Sequence, residues 1–99
     1  MYRAIALYRN EVDDAFRERY ARHEQLCRRV PGLAAFRAGP VIGTPEGASE
    51  WTWMAEFEFA DRDAFRAGIR SAEMQATVPD VQEFAPDVKV FFADLGGDA

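Results

Sequence analysis

The 99-residue sequence has one cysteine, one histidine and one lysine. A lone cysteine, Cys27, allows no intrachain disulfide and no cysteine-based metal cluster. A lone histidine, His23, without a carboxylate at a helical ligand spacing, gives no reason to expect a metal. Gly43 and Gly47 fit neither a P-loop nor a dinucleotide fingerprint, so no cofactor is expected. No stretch approaches the ~20 apolar residues of a membrane span. The opening MYRAIALYRN has no signal-peptide core or cleavage site, and the expected location is the cytoplasm. Basic residues are outnumbered, 12 against 17 acidic, for a net charge of −5. That speaks against nucleic acid, whose affinity rests on clustered Lys and Arg, and against an anionic membrane surface. An RNA-binding sheet would further need aromatics set in a basic motif.

What the chain has in plenty is apolar surface: 48% hydrophobic and 13% aromatic residues. One domain is expected over residues 1–95, with 96–99 as a polar tail. A domain this small has little interior, so some of these side chains must emerge as patches that mark a partner or a ligand groove. A homodimer is expected on that ground alone.

The pattern reads β-α-β-β-α-β. Tyr2–Tyr8 is a short strand with apolar residues on both faces and belongs at the centre of a sheet. An acidic run at Glu11, Asp13 and Asp14 starts a helix that runs to about Arg29 and stops at Pro31-Gly32. Leu33–Ile42 is a second strand whose Gly39-Pro40 suits an edge. Gly43–Glu50 is a loop. Trp51–Phe59 alternates aromatic and polar positions as a third strand. Asp61 caps a second helix, Ser71 recaps a turn or two over Glu73–Thr77, and Pro79 breaks it. Val88–Ala93 is the last strand. This is the split βαβ pattern, an α+β fold with a four-stranded antiparallel sheet and helices on one face. The other face, with Ile5, Leu7, Met54 and Phe91, needs a cover, and a second copy supplies it in the commonest symmetry.

On the first helix Val12, Phe16, Tyr20, His23, Leu26, Cys27 and Val30 share one face. His23 therefore sits in the middle of a buried stripe with Tyr20 one turn before it. Two readings stand side by side: a satisfied core histidine, or a general base on the floor of a site, since imidazole exchanges protons near neutral pH. In the second reading Tyr20 orients His23 or donates a hydrogen bond. Trp51 and Trp53, near the loop, line an apolar pocket or are plain core; Phe36, Tyr8 and Phe65 come next. Arg19, at the flank of the stripe, is solvated or reaches a substrate. Cys27 reads as an inert core thiol. Glu56 and Glu58, on the face expected to lie between two copies, pair with Arg3 or Arg9 in the dimer or are edge charges.

The string His23-x-x-Leu26-x-x-x-x-Pro31-Gly32 resembles the EthD family. So do the opening Ile5–Arg9, the pair Ala15-Phe16, Tyr20, the Ser71-x-x-Met74-Gln75 segment and the closing Val88–Phe92. Glu24 stands where that family often has proline. The resemblance implies a ferredoxin-like dimeric α+β barrel with sheets face to face and a ligand cavity between sheet and helices. It also implies a cofactor-independent enzyme of oxidoreductase, monooxygenase or cyclase type. Its substrate would be a small oxygenated aromatic or cyclic metabolite, with His23 as general base. The alternative is a non-catalytic metabolite-binding protein or an accessory to a partner oxygenase.

Overall fold

The computed structural model describes residues 1–96; residues 97–99 of the expected tail lie outside the described part. The elements are β1 (Tyr2–Tyr8), α1 (Asp14–Cys27), β2 (Leu33–Pro40), β3 (Trp53–Phe59), α2 (Arg62–Arg70), α3 (Ala72–Phe84) and β4 (Lys89–Asp94). The four strands form one antiparallel sheet in the order β2-β3-β1-β4. This is the ferredoxin-like α+β fold, with β1 central and β2 at an edge as their sequences require.

Alternation divides the sheet into two faces. Ala4, Ala6 and Tyr8 of β1 and Trp53, Ala55, Phe57 and Phe59 of β3 are buried beneath the helices. The opposite face carries Ile5, Leu7, Met54 and Phe91 beside a charged cluster. There Arg3 meets Glu56 at 3.5 Å and Glu58 at 3.3 Å, and Arg37 meets Glu58 at 3.0 Å. Arg9 pairs elsewhere, with Glu50.

Asp13 caps α1 by accepting from the Phe16 N–H at 2.8 Å. The helix ends at Cys27, two residues short of the expected Arg29, because Arg29 and Val30 switch to tighter bonds with the Leu26 and Cys27 carbonyls. Gly32, at φ +80°, then turns the chain into β2. Gly68 lets α2 sit down on β3; a Cβ there would overlap the Phe59 ring.

The second helical region departs from expectation. Ser71 ends α2 and starts α3: its backbone is extended (ψ 154°), its Oγ accepts from the Met74 N–H and donates to the Gly68 carbonyl. From there α3 runs unbroken through Pro79 to Phe84. A proline inside a helix forfeits one bond and costs about 3 kcal/mol. What holds α3 together beyond it is tertiary: Asp80 is gripped from α1 and Phe84 packs into the aromatic core. Trp51 and Thr52 precede β3 rather than belonging to it. Among the described residues no helix is long and apolar enough to cross a membrane.

Candidate functional site

Helix α3 packs on α1 and α2, and between it and the sheet lies a cavity of about 290 Å³. Ala4, Ala6, Tyr8 and Phe57 form its floor, and Ile69, Met74, Thr77, Val78 and Val81 its roof. Val88, Val90 and Phe92 of the edge of the sheet close one side. Val78, Val90 and Phe92 are 48–61% exposed and mark the mouth. His23 reaches the cavity from α1.

His23 is 3% exposed, and its Nδ1 lies 2.8 Å from Asp80 Oδ2. A carboxylate only accepts, so Nδ1 carries the hydrogen and Nε2 keeps its lone pair. Asp80 is held in turn by Arg19, one turn before His23 on α1. Arg19 Nη2 donates to Asp80 Oδ1 at 2.8 Å and to its backbone carbonyl at 3.3 Å, and Nη1 donates to Oδ2 at 3.3 Å. The Arg19 guanidinium lies 4.6 Å over the Phe84 ring, and Phe84 meets His23 edge-on at 5.4 Å.

The electrostatics follow from this packing. Burial pushes the His23 pKa below its ordinary 6.5, against the opposing pull of Asp80. The Arg19 guanidinium holds the Asp80 carboxyl below the usual carboxylate range, with help from His23. So Asp80 is ionised and His23 neutral at pH 7. The result is a neutral imidazole lining a largely apolar cavity, its tautomer fixed from behind.

Of the residues singled out by sequence, His23 and Tyr8 meet at this cavity. Tyr20 does not serve as the hydrogen-bond partner of His23. The two rings sit side by side at 5.8 Å, and among the described residues the buried Tyr20 hydroxyl has no hydrogen-bond partner. Trp53 fills core between Phe16 and Tyr20, at 5.4 and 5.1 Å. Phe36 packs on Phe57 at 5.0 Å under Arg28. Phe65 packs against Tyr2, Phe59 and Phe92 at 5.3–5.7 Å. Trp51 lies under Arg9 and lines a separate open groove with Arg17 and Ile42. Cys27 is fully buried, its thiol pushed up to about 12. Among the described residues no group of three or more His, Cys, Asp and Glu is placed to hold a metal.

Asp80, the partner of His23, is the residue of this site that sequence reading missed. A helix read through Pro79 would have put Thr77, Asp80, Val81 and Phe84 on one face.

Comparison with known proteins places the chain in a family. No curated protein matches the sequence. Among solved structures, an ethyl tert-butyl ether D (EthD) family protein from Bacillus halodurans is 29% identical over 97% of this chain and 99% of its own, with a TM-score of 0.86. A hydroxynitrile lyase from Passiflora edulis is 14% identical over 99% of this chain and 95% of its own, at TM-score 0.73. A mutant of SnoaB, a cofactor-independent oxygenase from Streptomyces nogalater, is 12% identical over 98% of this chain and 93% of its own, at TM-score 0.64. The lyase and SnoaB share the fold alone. Several further matches are dimeric ferredoxin-like proteins. The EthD domain profile matches residues 10–88, which takes in α1, α3 and the His23–Asp80 pair, and the chain belongs to the EthD family.

Proposed function

We propose that this protein is a cofactor-independent enzyme that uses His23 as general base on a small oxygenated aromatic or cyclic metabolite. One observation carries the reading: a neutral imidazole, backed by Asp80 at 2.8 Å, lines a mostly apolar cavity. Most buried polar atoms kept only for packing have a hydrogen-bond partner in the protein or in ordered water. Here Nε2 takes a proton from the bound guest, and the imidazolium that forms is stabilised by Asp80. The cavity's 290 Å³ lies at the small end of ligand sites, which run roughly 300–1,000 Å³, and suits a one- or two-ring compound. Deprotonation sets up either reaction of the resulting anion with O₂ or ring closure through an enolate. A fold shared with an oxygenase and a hydroxynitrile lyase leaves that choice to the site.

The protein works as a homodimer through the sheet face that carries Ile5, Leu7, Met54 and Phe91, in keeping with its dimeric relatives. A reducing cytoplasm suits its buried free thiol.

The test is kinetic. His23→Ala lowers kcat by about 10²–10⁴ while guest binding persists. Asp80→Asn acts similarly, because its amide can donate to Nδ1 and so turn the imidazole to the wrong tautomer. Undiminished turnover in His23→Ala removes the enzyme reading and leaves a metabolite-binding protein.

A further inference from the structure

Tyr8 and His23 approach the cavity from different elements, β1 and α1, and share their neighbours. Tyr8 packs on Tyr20 at 5.6 Å and on Phe84 at 6.3 Å; His23 packs on the same two rings at 5.8 and 5.4 Å. The two side chains thus reach the cavity from floor and flank through one shared aromatic surround. The Tyr20 hydroxyl approaches that of Tyr8 closely enough to favour its ionised form but makes no full hydrogen bond. Among the described residues no group accepts the Tyr8 hydroxyl hydrogen in a full hydrogen bond. Burial nonetheless dominates and holds the Tyr8 hydroxyl well above the ordinary phenol range, so it stays protonated as a neutral donor.

The charges near the cavity are as informative. None of its lining residues carries a fixed charge. Arg19, the cation behind His23, has both terminal nitrogens on Asp80, and Asp80's negative charge stands directly behind His23. A carboxylate guest would lose its water with no counter-ion to replace it.

We propose that Tyr8 is a second catalytic residue, donating its hydroxyl hydrogen to the oxyanion that forms when His23 takes a proton, and that the substrate is a neutral, enolisable carbonyl compound rather than a carboxylate. This rests on the base role of His23 argued above. In the step, Nε2 takes the proton from the carbon beside the carbonyl. The C–H pair becomes a C=C bond, the C=O π pair moves to oxygen, and that oxygen accepts from Tyr8. The positive charge stays on the imidazolium, held by Asp80. Return of a proton to the same carbon regenerates the starting compound. A neutral donor aimed at the developing charge strengthens its bond only as the reaction proceeds, which is what lowers a barrier.

The experiment follows deuterium uptake at the α-carbon of 2-tetralone, a neutral bicyclic ketone, in D₂O by proton NMR. The expected result is that the wild-type protein accelerates exchange and Tyr8→Phe lowers that acceleration by about 100-fold with 2-tetralone affinity little changed. In parallel fluorescence titrations of the wild type, 2-naphthol binds at least about tenfold more tightly than 2-naphthoate. Wild-type-like exchange in Tyr8→Phe, no acceleration by the wild type, or equal binding of the two naphthalenes overturns the proposal. His23→Ala separates the two layers. If its exchange falls while that of Tyr8→Phe does not, the base stands and the Tyr8 role is gone; if His23→Ala exchanges like the wild type, the base assignment itself fails.

Discussion

His23 carries two opposed influences, and their balance sets both chemistry and stability. Burial favours the neutral ring, Asp80 favours the charged one, and burial wins. Because the folded-state pKa lies below the ordinary 6.5, the unfolded chain binds a proton that the native protein refuses. Stability is therefore fully present above pH 6.5 and is lost as pH falls toward the folded pKa. Asp80 acts in the same direction lower down: its depressed pKa adds stability above 3.8 that disappears as pH falls through its folded value. Melting temperature should be flat above pH 7, decline as pH falls below 6.5 toward the folded pKa of His23, and decline again as pH falls below 3.8. His23→Gln should flatten the first decline and leave the second; an unchanged curve in that variant refutes the assignment.

At the scale of elements, close approach decides what the helices can do. α2 lies on β3 through Gly68, where a methyl group would strike the Phe59 ring and come 3.1 Å from the Pro31 carbonyl. Gly68→Ala should destabilise by about 1–3 kcal/mol, as overpacking of a filled core does, and urea titration reads it; a neutral change would mean α2 floats. The face of α1 was legible in its sequence because a 3.6-residue period needs no partner to be seen, and it placed His23, Tyr20 and Cys27 correctly as buried. α3 was not. Its sequence contains Pro79, a local rule that says stop, and the contacts that override the rule come from Arg19 and His23 some sixty positions earlier. Asp80 went unseen for that reason. The same blindness placed Trp53 in a pocket: alternation in β3 gives the face a side chain is on, while the aromatic rings that fill the space above it belong to α1.

For the whole molecule, the sheet has one face beneath helices and one face bare. The fold was readable because strand alternation, helix caps and order of elements all agree. The bare face mixes an apolar half, Leu7, Met54 and Phe91, with the Arg3, Glu56, Glu58 and Arg37 cluster. Apolar surface of this kind at the centre of a sheet is stable in water only when covered. Leu7→Asp should convert a dimer into monomers in sedimentation experiments, with the cavity and the His23–Asp80 pair on the opposite face intact; a dimer that survives the substitution places the interface elsewhere.

The central claim is that His23 is a neutral base, hydrogen on Nδ1, with Nε2 open to the cavity. Since the chain has one histidine, long-range proton–nitrogen NMR of the ring reads it without assignment. The account predicts the Nδ1–H tautomer at pH 7, protonation only below pH 6.5, and a shift of the Nε2 signal when 2-tetralone is added. An Nε2–H tautomer, a pKa above 6.5, or an Nε2 signal indifferent to the guest would contradict it.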